Sequence, residues 1–115
     1  MKILQSNITI MVKDLERSIA FYLSLGLSLK EKWGEHYAQV EAPGVIIGLH
    51  PKAKDDSKTT SGSLSIGFMT PDFDEARGLL ISQTIKFQEE SGKSGQILNF
   101  QDPDGTWLYF MKPEY

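Results

Sequence analysis

Few residues in this sequence are of the types that hold metal ions or attack a substrate covalently. The chain contains no cysteine and only two histidines, His36 and His50. A thiolate zinc site and a cysteine nucleophile are therefore excluded, and any imidazole pair would have to use both histidines. The residues that remain favour noncovalent recognition, in which aromatic rings and neutral hydrogen-bonding groups hold a ligand.

Candidate contact residues emerge from the alternation of side chains along strand-like segments. Successive side chains of a strand point to opposite faces. If apolar positions such as Ile10, Ile47 and Leu108 pack under a helix, the residues between them form the opposite face. The candidate ligand-binding residues on that face are Asn7, Thr9, Tyr37, Gln39, Gly48, His50, Ser65, Asn99, Trp107 and Tyr109. Met11, Ile46, Gly67, Met69, Ile97 and Met111 are expected beside them.

Each of these residues also has a simpler interpretation. Trp107 and Tyr109 could fill a core, which is the commoner role of aromatic residues in strands. His50 stands at a strand end before Pro51 and could be a plain surface residue. Gly48 could mark a bulge or a close approach of two backbones. Alternation, which turns the two aromatic residues away from the helix side, keeps the ligand-binding interpretation open.

The elements that position these residues occur twice. Residues 8–15 align with residues 66–73, with Ile, Met and Asp identical, and residues 44–49 align with residues 105–110 at nearly the same offset. Such self-similarity indicates a duplicated unit. In each copy an aspartate, Asp14 or Asp72, stands between a strand-like run and a helical pattern, where it can cap the helix. Three further strand-like runs follow, so each copy is predicted to be a β-α-β-β-β module.

The predicted boundaries follow from turn formers and hydrophobic spacing. The first helix has its apolar stripe at Leu15, Ser18, Ile19, Tyr22 and Leu23 and ends at Gly26; the second has Phe73, Ala76, Leu79 and Leu80. Strands are expected at 7–12, 28–33, 35–41 and 45–50, and at 85–89, 96–101 and 106–112 after the second helix. The whole chain, 1–115, is expected to be one domain, with modules at about 1–51 and 63–115 and a linker at about 52–62. The fold class is α+β, with two tandem modules forming a curved mixed sheet around a cleft.

Length and composition limit the classes of function. With 115 residues, 40% hydrophobic and 23% charged, the chain should form one soluble folded domain. Its formal charge of -3 argues against nucleic acid or an anionic membrane as partner. No segment has the length of a membrane span or the apolar centre of a signal peptide. A cytoplasmic protein is expected.

The opening segment and a late turn carry a family resemblance. Residues 8–22, followed by Leu25-Gly26-Leu27, and the later Asp102-Pro103-Asp104-Gly105 before the final strand resemble the vicinal-oxygen-chelate superfamily. That superfamily includes glyoxalase I, bleomycin-resistance proteins, fosfomycin-resistance enzymes and extradiol dioxygenases. The resemblance covers essentially the whole chain and implies the duplicated fold. It implies less about activity, because one fold hosts several chemistries.

The resemblance also implies where a metal would bind. The metal-dependent members hold a divalent ion with His or Glu side chains at four positions, which fall here on Asn7, Gly48, Ser65 and Tyr109. None of these is a good ligand for a transition metal. His50 lies two residues beyond Gly48, but alternation places His36 on the opposite side of its strand. We therefore expect no metal site and no cofactor, and no carboxylate or arginine among the cleft residues.

Three functions are compatible with these observations. The leading hypothesis is a metal-free small-molecule-binding protein of the glyoxalase/bleomycin-resistance type, which sequesters an uncharged or aromatic compound in the cleft. One alternative is a metal-dependent lyase or dioxygenase with an unconventional site that uses His50. Another is a non-catalytic dimeric scaffold. The resemblance alone implies a homodimer, because two-module chains of the superfamily frequently pair.

Overall fold

The computed structural model describes residues 1–51, 64–92 and 95–112. The chain divides into two compact units, Met1–Ser61 and Gly62–Tyr115. The boundary between them falls within the predicted linker, which itself lies outside the described residues. Both units are α+β, and each contains a helix and a four-stranded mixed sheet.

The first unit contains β1 (Ile8–Val12), α1 (Leu15–Leu25), β2 (Ser28–Trp33), β3 (Tyr37–Ala42) and β4 (Val45–Pro51). Its strand order is β1-β4-β3-β2, with β1 parallel to β4 and the other pairs antiparallel. The second unit repeats this plan with β5 (Ser65–Met69), α2 (Phe73–Ser82), β6 (Phe87–Gly92), β7 (Gly95–Gln101) and β8 (Trp107–Met111). Its order is β5-β8-β7-β6, again with the outer pair β5 and β8 parallel. The predicted βαβββ duplication is confirmed.

Both helices begin at the predicted aspartate caps. The Asp14 carboxylate accepts a hydrogen bond from the Arg17 backbone N–H at 3.1 Å, and the Asp72 carboxylate accepts one from the Glu75 N–H at 2.9 Å. These bonds satisfy N–H groups that have no partner within the helix. Helix α1 ends at Gly26, whose φ of 112° is left-handed and suits glycine.

One apolar layer under the helix forms the core of each unit. In the first unit Val12, Tyr22 and Val40 are fully buried. In the second unit Leu80 and Leu98 are fully buried, and the rings of Phe100 and Phe110 stack with centroids 5.2 Å apart. Because the core lies on the helix side of each sheet, the other face of each sheet, the helix-free face, carries the alternate residues of every strand.

Two groups of side-chain hydrogen bonds stabilise the second unit, one in the turn between β7 and β8 and one between α2 and β6. Asp102 is 5% exposed, and its carboxylate accepts from the backbone N–H groups of Asp104 at 2.9 Å and Thr106 at 2.8 Å. This is the turn that was predicted before the final strand. Arg77 of α2 donates to Glu89 of β6 at 2.8 Å and to Asp74 at 2.7 Å. The hydrogen bond from Arg77 lowers the pKa of the Glu89 carboxyl, and the two carboxylates raise the pKa of the guanidinium.

The structure corrects several details of the sequence prediction. Leu23 is 40% exposed, and Leu25 instead completes the buried stripe of α1. Ile8, expected in the core, is 38% exposed. Strand β3 begins at Tyr37, and His36 lies in the turn before it rather than within a strand. The β6 strand begins two residues later than predicted, at Phe87. Within the described ranges, neither helix has the length and apolar character needed to cross a bilayer.

Candidate ligand-binding site

The helix-free face of the first unit is organised around the hydroxyl group of Tyr37. The Asn7 side-chain amide nitrogen lies 3.4 Å from this oxygen, and the Gln39 amide nitrogen lies 3.2 Å from it. The Thr9 hydroxyl lies 3.4 Å from the same oxygen and 3.2 Å from the Asn7 nitrogen. Four predicted site residues therefore form one connected hydrogen-bond cluster, which we call the Tyr37 cluster: Asn7, Thr9, Tyr37 and Gln39.

The sheet register explains how these residues meet. Thr9 of β1 and Gln39 of β3 both pair with Gly48 of β4, so the three lie in one row across the sheet. Gly48 is buried although it belongs to the helix-free face, because the end of the Tyr37 side chain covers it. A Cβ at position 48 would overlap the Tyr37 hydroxyl and would approach the Thr9 oxygen to 2.6 Å. Only glycine leaves room for the ring at this point.

Aromatic groups extend the Tyr37 cluster along the same face. The rings of Trp33 and Tyr37 have centroids 5.3 Å apart, and those of Tyr37 and His50 lie 6.3 Å apart. Trp33 is 48% exposed and presents a flat apolar surface. The Nδ1 atom of His50 lies 2.8 Å from the Pro51 carbonyl oxygen, so Nδ1 carries a hydrogen in this contact.

The helix-free face of the second unit has a related arrangement. Tyr109 of β8 pairs with Gly67 of β5 and with Asn99 of β7. The end of the Tyr109 ring covers Gly67, and the three heavy atoms nearest to a Cβ built there all belong to Tyr109. Within the described ranges the Tyr109 hydroxyl makes no hydrogen bond, so a ligand could use it.

Apolar side chains surround Tyr109 on this face. Met69 is 63% exposed and Trp107 is 43% exposed. Met111 pairs with both Met69 and Ile97, and Ser65 pairs with Trp107. The face therefore combines a large aromatic surface and flexible methionines with a few neutral polar groups. Such a combination suits an apolar or aromatic ligand.

Comparison with known proteins places the chain in a family. The sequence model of the Glyoxalase/Bleomycin resistance protein/Dioxygenase superfamily matches residues 5–110. This chain belongs to that superfamily. A comparison with curated proteins finds no match.

Several solved structures share the fold of this chain. The genomically encoded fosfomycin resistance protein of Listeria monocytogenes is 19% identical, with a TM-score of 0.80 over 98% of this chain and 95% of that one. Its complex with Mn(II) and sulfate is 19% identical, with a TM-score of 0.77 over 97% and 91%. Lactoylglutathione lyase from Agrobacterium tumefaciens is 16% identical, with a TM-score of 0.74 over 95% and 92%. At these identities the likeness shows the fold alone.

The four positions that the family resemblance assigns to metal ligands carry neither imidazole nor carboxylate in this chain. Asn7 and Ser65 offer a carboxamide and a hydroxyl, Gly48 offers no side chain, and Tyr109 offers a phenol, which are poor donors for a divalent transition metal. The Asn7 nitrogen is already engaged with Thr9 and Tyr37. The space over Gly48 is filled by the Tyr37 hydroxyl. In the described part of the chain no three His, Asp or Glu side chains lie close enough together to hold a metal.

Sequence reasoning missed three residues of the helix-free face in the first unit. Glu41 follows Tyr37 and Gln39 at period two and pairs with Ile46, and Glu31 pairs with Gln39. The expectation that no carboxylate lies on this face is therefore wrong. Continuing the alternation of β3 by one step would have found Glu41. Trp33 pairs with Tyr37 across the β2–β3 hairpin, and extending the alternation to β2 would have included it.

Proposed function

We propose that this protein binds a small uncharged or aromatic molecule on the helix-free faces of its sheets without a metal ion, as a sequestering protein of the glyoxalase/bleomycin-resistance type. The observation that carries the proposal is the position of the Tyr37 hydroxyl over Gly48. The family resemblance assigns a metal-ligand position to Gly48, and the Tyr37 cluster over it supports recognition without a metal. The recognition chemistry of this site is then that of neutral hydrogen bonds and aromatic surface.

The two amide groups limit the possible hydrogen-bond directions in the Tyr37 cluster. The amide nitrogens of Asn7 and Gln39 can only donate, so the Tyr37 oxygen accepts from both. Either hydroxyl can be the donor across the 3.4 Å between Tyr37 and Thr9. We assign the donation to Tyr37, because its oxygen already accepts from two amide groups. The Thr9 oxygen also accepts from Asn7. The hydrogen of the Thr9 hydroxyl is therefore left over, on an exposed side chain, and can donate to a ligand.

This free donor indicates which ligand groups the face would accept. A hydroxyl donor beside aromatic rings suits a carbonyl or ether oxygen on an apolar or aromatic body. An anion is disfavoured on the first unit's face, because Glu31 and Glu41 lie on it. The proposed ligand is therefore neutral, and its oxygen accepts from Thr9.

A titration with acetophenone tests this proposal, because acetophenone is neutral, is aromatic and carries one carbonyl acceptor. Binding is followed by the fluorescence of Trp33 and Trp107 and by amide chemical shifts in two-dimensional NMR. Thr9→Val removes the free donor at nearly constant shape and should weaken binding about fivefold, since a neutral hydrogen bond contributes about 1 kcal/mol. Thr9→Ser keeps the hydroxyl and should restore the affinity.

Additional measurements separate this proposal from the metal-dependent enzyme and from the dimeric scaffold. Elemental analysis of protein purified without chelators should find no stoichiometric Mn, Fe, Ni or Zn. A stoichiometric metal that disappears in His50→Ala would instead favour the metal-dependent enzyme. Equal acetophenone affinity in wild type and Thr9→Val, with no amide shifts around the Tyr37 cluster, would contradict the proposed site. Self-association measured by analytical ultracentrifugation, with no ligand bound on the helix-free faces, would favour the scaffold.

A further inference from the structure

A second concave site lies at the β3–β4 hairpin end of the first unit. It is a cavity of about 530 Å³, which is in the size range of small-molecule sites. Its lining comes from the segment before β1, the first residue of β2 and the β3–β4 hairpin. The lining residues are Gln5, Ser6, Ser28, Glu41, Ala42, Pro43, Gly44, Val45 and Ile46. None of them belongs to the Tyr37 cluster.

The hairpin geometry places a carboxylate among the residues that line this cavity. Ala42 pairs with Val45 beside the tight turn, where Gly44 adopts a left-handed φ of 91°. One step further from the turn, Glu41 pairs with Ile46 on one side and with Ser28 on the other. A hydroxyl, a carboxylate and an apolar side chain therefore lie in one row across three strands.

Among the described residues that line the cavity, Glu41 is the one with an ionisable side chain. It is half-buried, and within the described ranges its carboxylate makes no ion pair or hydrogen bond. A carboxylate attracts a cation more strongly in a concave, partly desolvated site than on an open surface. The neighbouring Ser6, Ser28 and Gln5 provide oxygens that can accept further N–H groups.

We propose that this cavity binds a small organic cation, namely a protonated amine attached to an apolar body. The ammonium group pairs with the Glu41 carboxylate, and its remaining hydrogens go to the serine and glutamine oxygens. The apolar body packs on Pro43, Val45 and Ile46. This site adjoins the Tyr37 cluster on the same face, but none of the four cluster residues lines it, and it selects for charge.

Three isosteric probes test the proposal: benzylamine, benzyl alcohol and benzoate. Titrations followed by two-dimensional NMR of the whole chain should show benzylamine shifting the amides of Ser6, Ser28 and the hairpin residues. Benzyl alcohol should bind at least about tenfold more weakly, and benzoate should not shift these amides, because the carboxylate repels it. Raising the NaCl concentration should weaken benzylamine binding, since salt screens the charge pair.

Two charge-neutralising variants make the test specific. Glu41→Gln keeps the shape and removes the charge, and it should weaken benzylamine binding about tenfold. Glu31→Gln is the matched control, because Glu31 lies on the same sheet outside the cavity, and it should leave the affinity unchanged. Ser28→Ala provides a second variant, with an expected loss of about threefold.

The outcomes distinguish this site from the neutral one. Acetophenone binding should not respond to Glu41→Gln, and benzylamine binding should not respond to Thr9→Val. Equal benzylamine affinity in wild type and Glu41→Gln would overturn the proposal, whatever acetophenone does. Benzylamine shifts confined to residues outside the cavity, or no shifts at all, would overturn it as well.

Discussion

Replacing Gly67 by alanine tests whether Tyr109 holds a fixed place on the helix-free face of the second unit. The end of the Tyr109 ring covers the Gly67 backbone, so a Cβ there would overlap the ring. The φ of Gly67 is not positive, so an alanine at this position would suffer no backbone strain. Any loss of stability must then come from the contact with Tyr109.

The size of the effect follows from two opposing contributions. Overpacking typically costs about 1 to 3 kcal/mol. Replacing glycine by alanine also restricts the unfolded chain, which stabilises the fold by about 0.4 to 1 kcal/mol. Gly67→Ala should therefore lower the free energy of unfolding by about 0.5 to 2 kcal/mol. When Tyr109 is also replaced by alanine, the overlap disappears, and the same substitution at Gly67 should become stabilising.

Urea unfolding followed by far-UV circular dichroism measures this reversal in a double-mutant cycle of wild type, two single variants and the double variant. Gly78→Ala is the control, because Gly78 lies within α2 and a Cβ there meets nothing within 4 Å. It should stabilise both backgrounds by about 0.5 to 1 kcal/mol. If Gly67→Ala stabilises the wild type as much as it stabilises Tyr109→Ala, the ring swings freely and the fixed site is refuted.

Three further substitutions test local structures. Asp102→Ala leaves two buried backbone N–H groups without their acceptor and should lower the free energy of unfolding by about 2 to 4 kcal/mol in urea titrations. Asp102→Asn keeps an acceptor oxygen, so this variant should retain most of the wild-type stability. The Glu89 pKa is lowered by Arg77, so this carboxylate contributes stability above its ordinary pKa of about 4.5, and the contribution disappears as pH falls through the lowered pKa. The difference in melting temperature between wild type and Glu89→Gln should therefore shrink with acidification below about pH 4.5; a constant difference would contradict the pairing. Asp14→Ala should cost about 0.5 to 2 kcal/mol by calorimetry, and Asp14→Asn, which can still cap α1, should cost much less.

The sequence predicted the helices well because their ends depend on local chemistry. Asp14 and Asp72 accept from N–H groups three residues ahead, and Gly26 supplies a left-handed residue, so neither signal needs tertiary information. The stripe of α1 was less accurate. Leu23 and Leu25 both lie about 80° from Leu15 around the helix axis, on opposite sides, so periodicity alone does not tell which of them is buried. The structure buries Leu25 and exposes Leu23.

Alternation also predicted which face each candidate residue occupies. It placed Thr9, Gln39 and Tyr109 correctly because the strand period is two, whatever the neighbouring strands do. It could not predict that Tyr37 reaches over Gly48. That contact depends on the order of β3 and β4 in the sheet, on their register and on the rotamer of one ring, none of which a single strand encodes.

The two units place a ring over a glycine by different routes. In the first unit, Gly48 lies in the last strand of the module, and the covering ring comes from Tyr37 of the third strand. In the second unit, the last strand supplies the ring itself, Tyr109, and the glycine is Gly67 of the first strand.

In each sheet, the row of paired residues that contains this glycine has a similar composition. The first strand, last strand and third strand supply threonine, glycine and glutamine in one unit and glycine, tyrosine and asparagine in the other. A ring can lie over three residues paired side by side on neighbouring strands only where one of them has no Cβ. The ring and the glycine therefore have to occur together. Each row also retains one carboxamide in its third strand. A face built in this way has planar surface and neutral hydrogen-bonding groups at its centre.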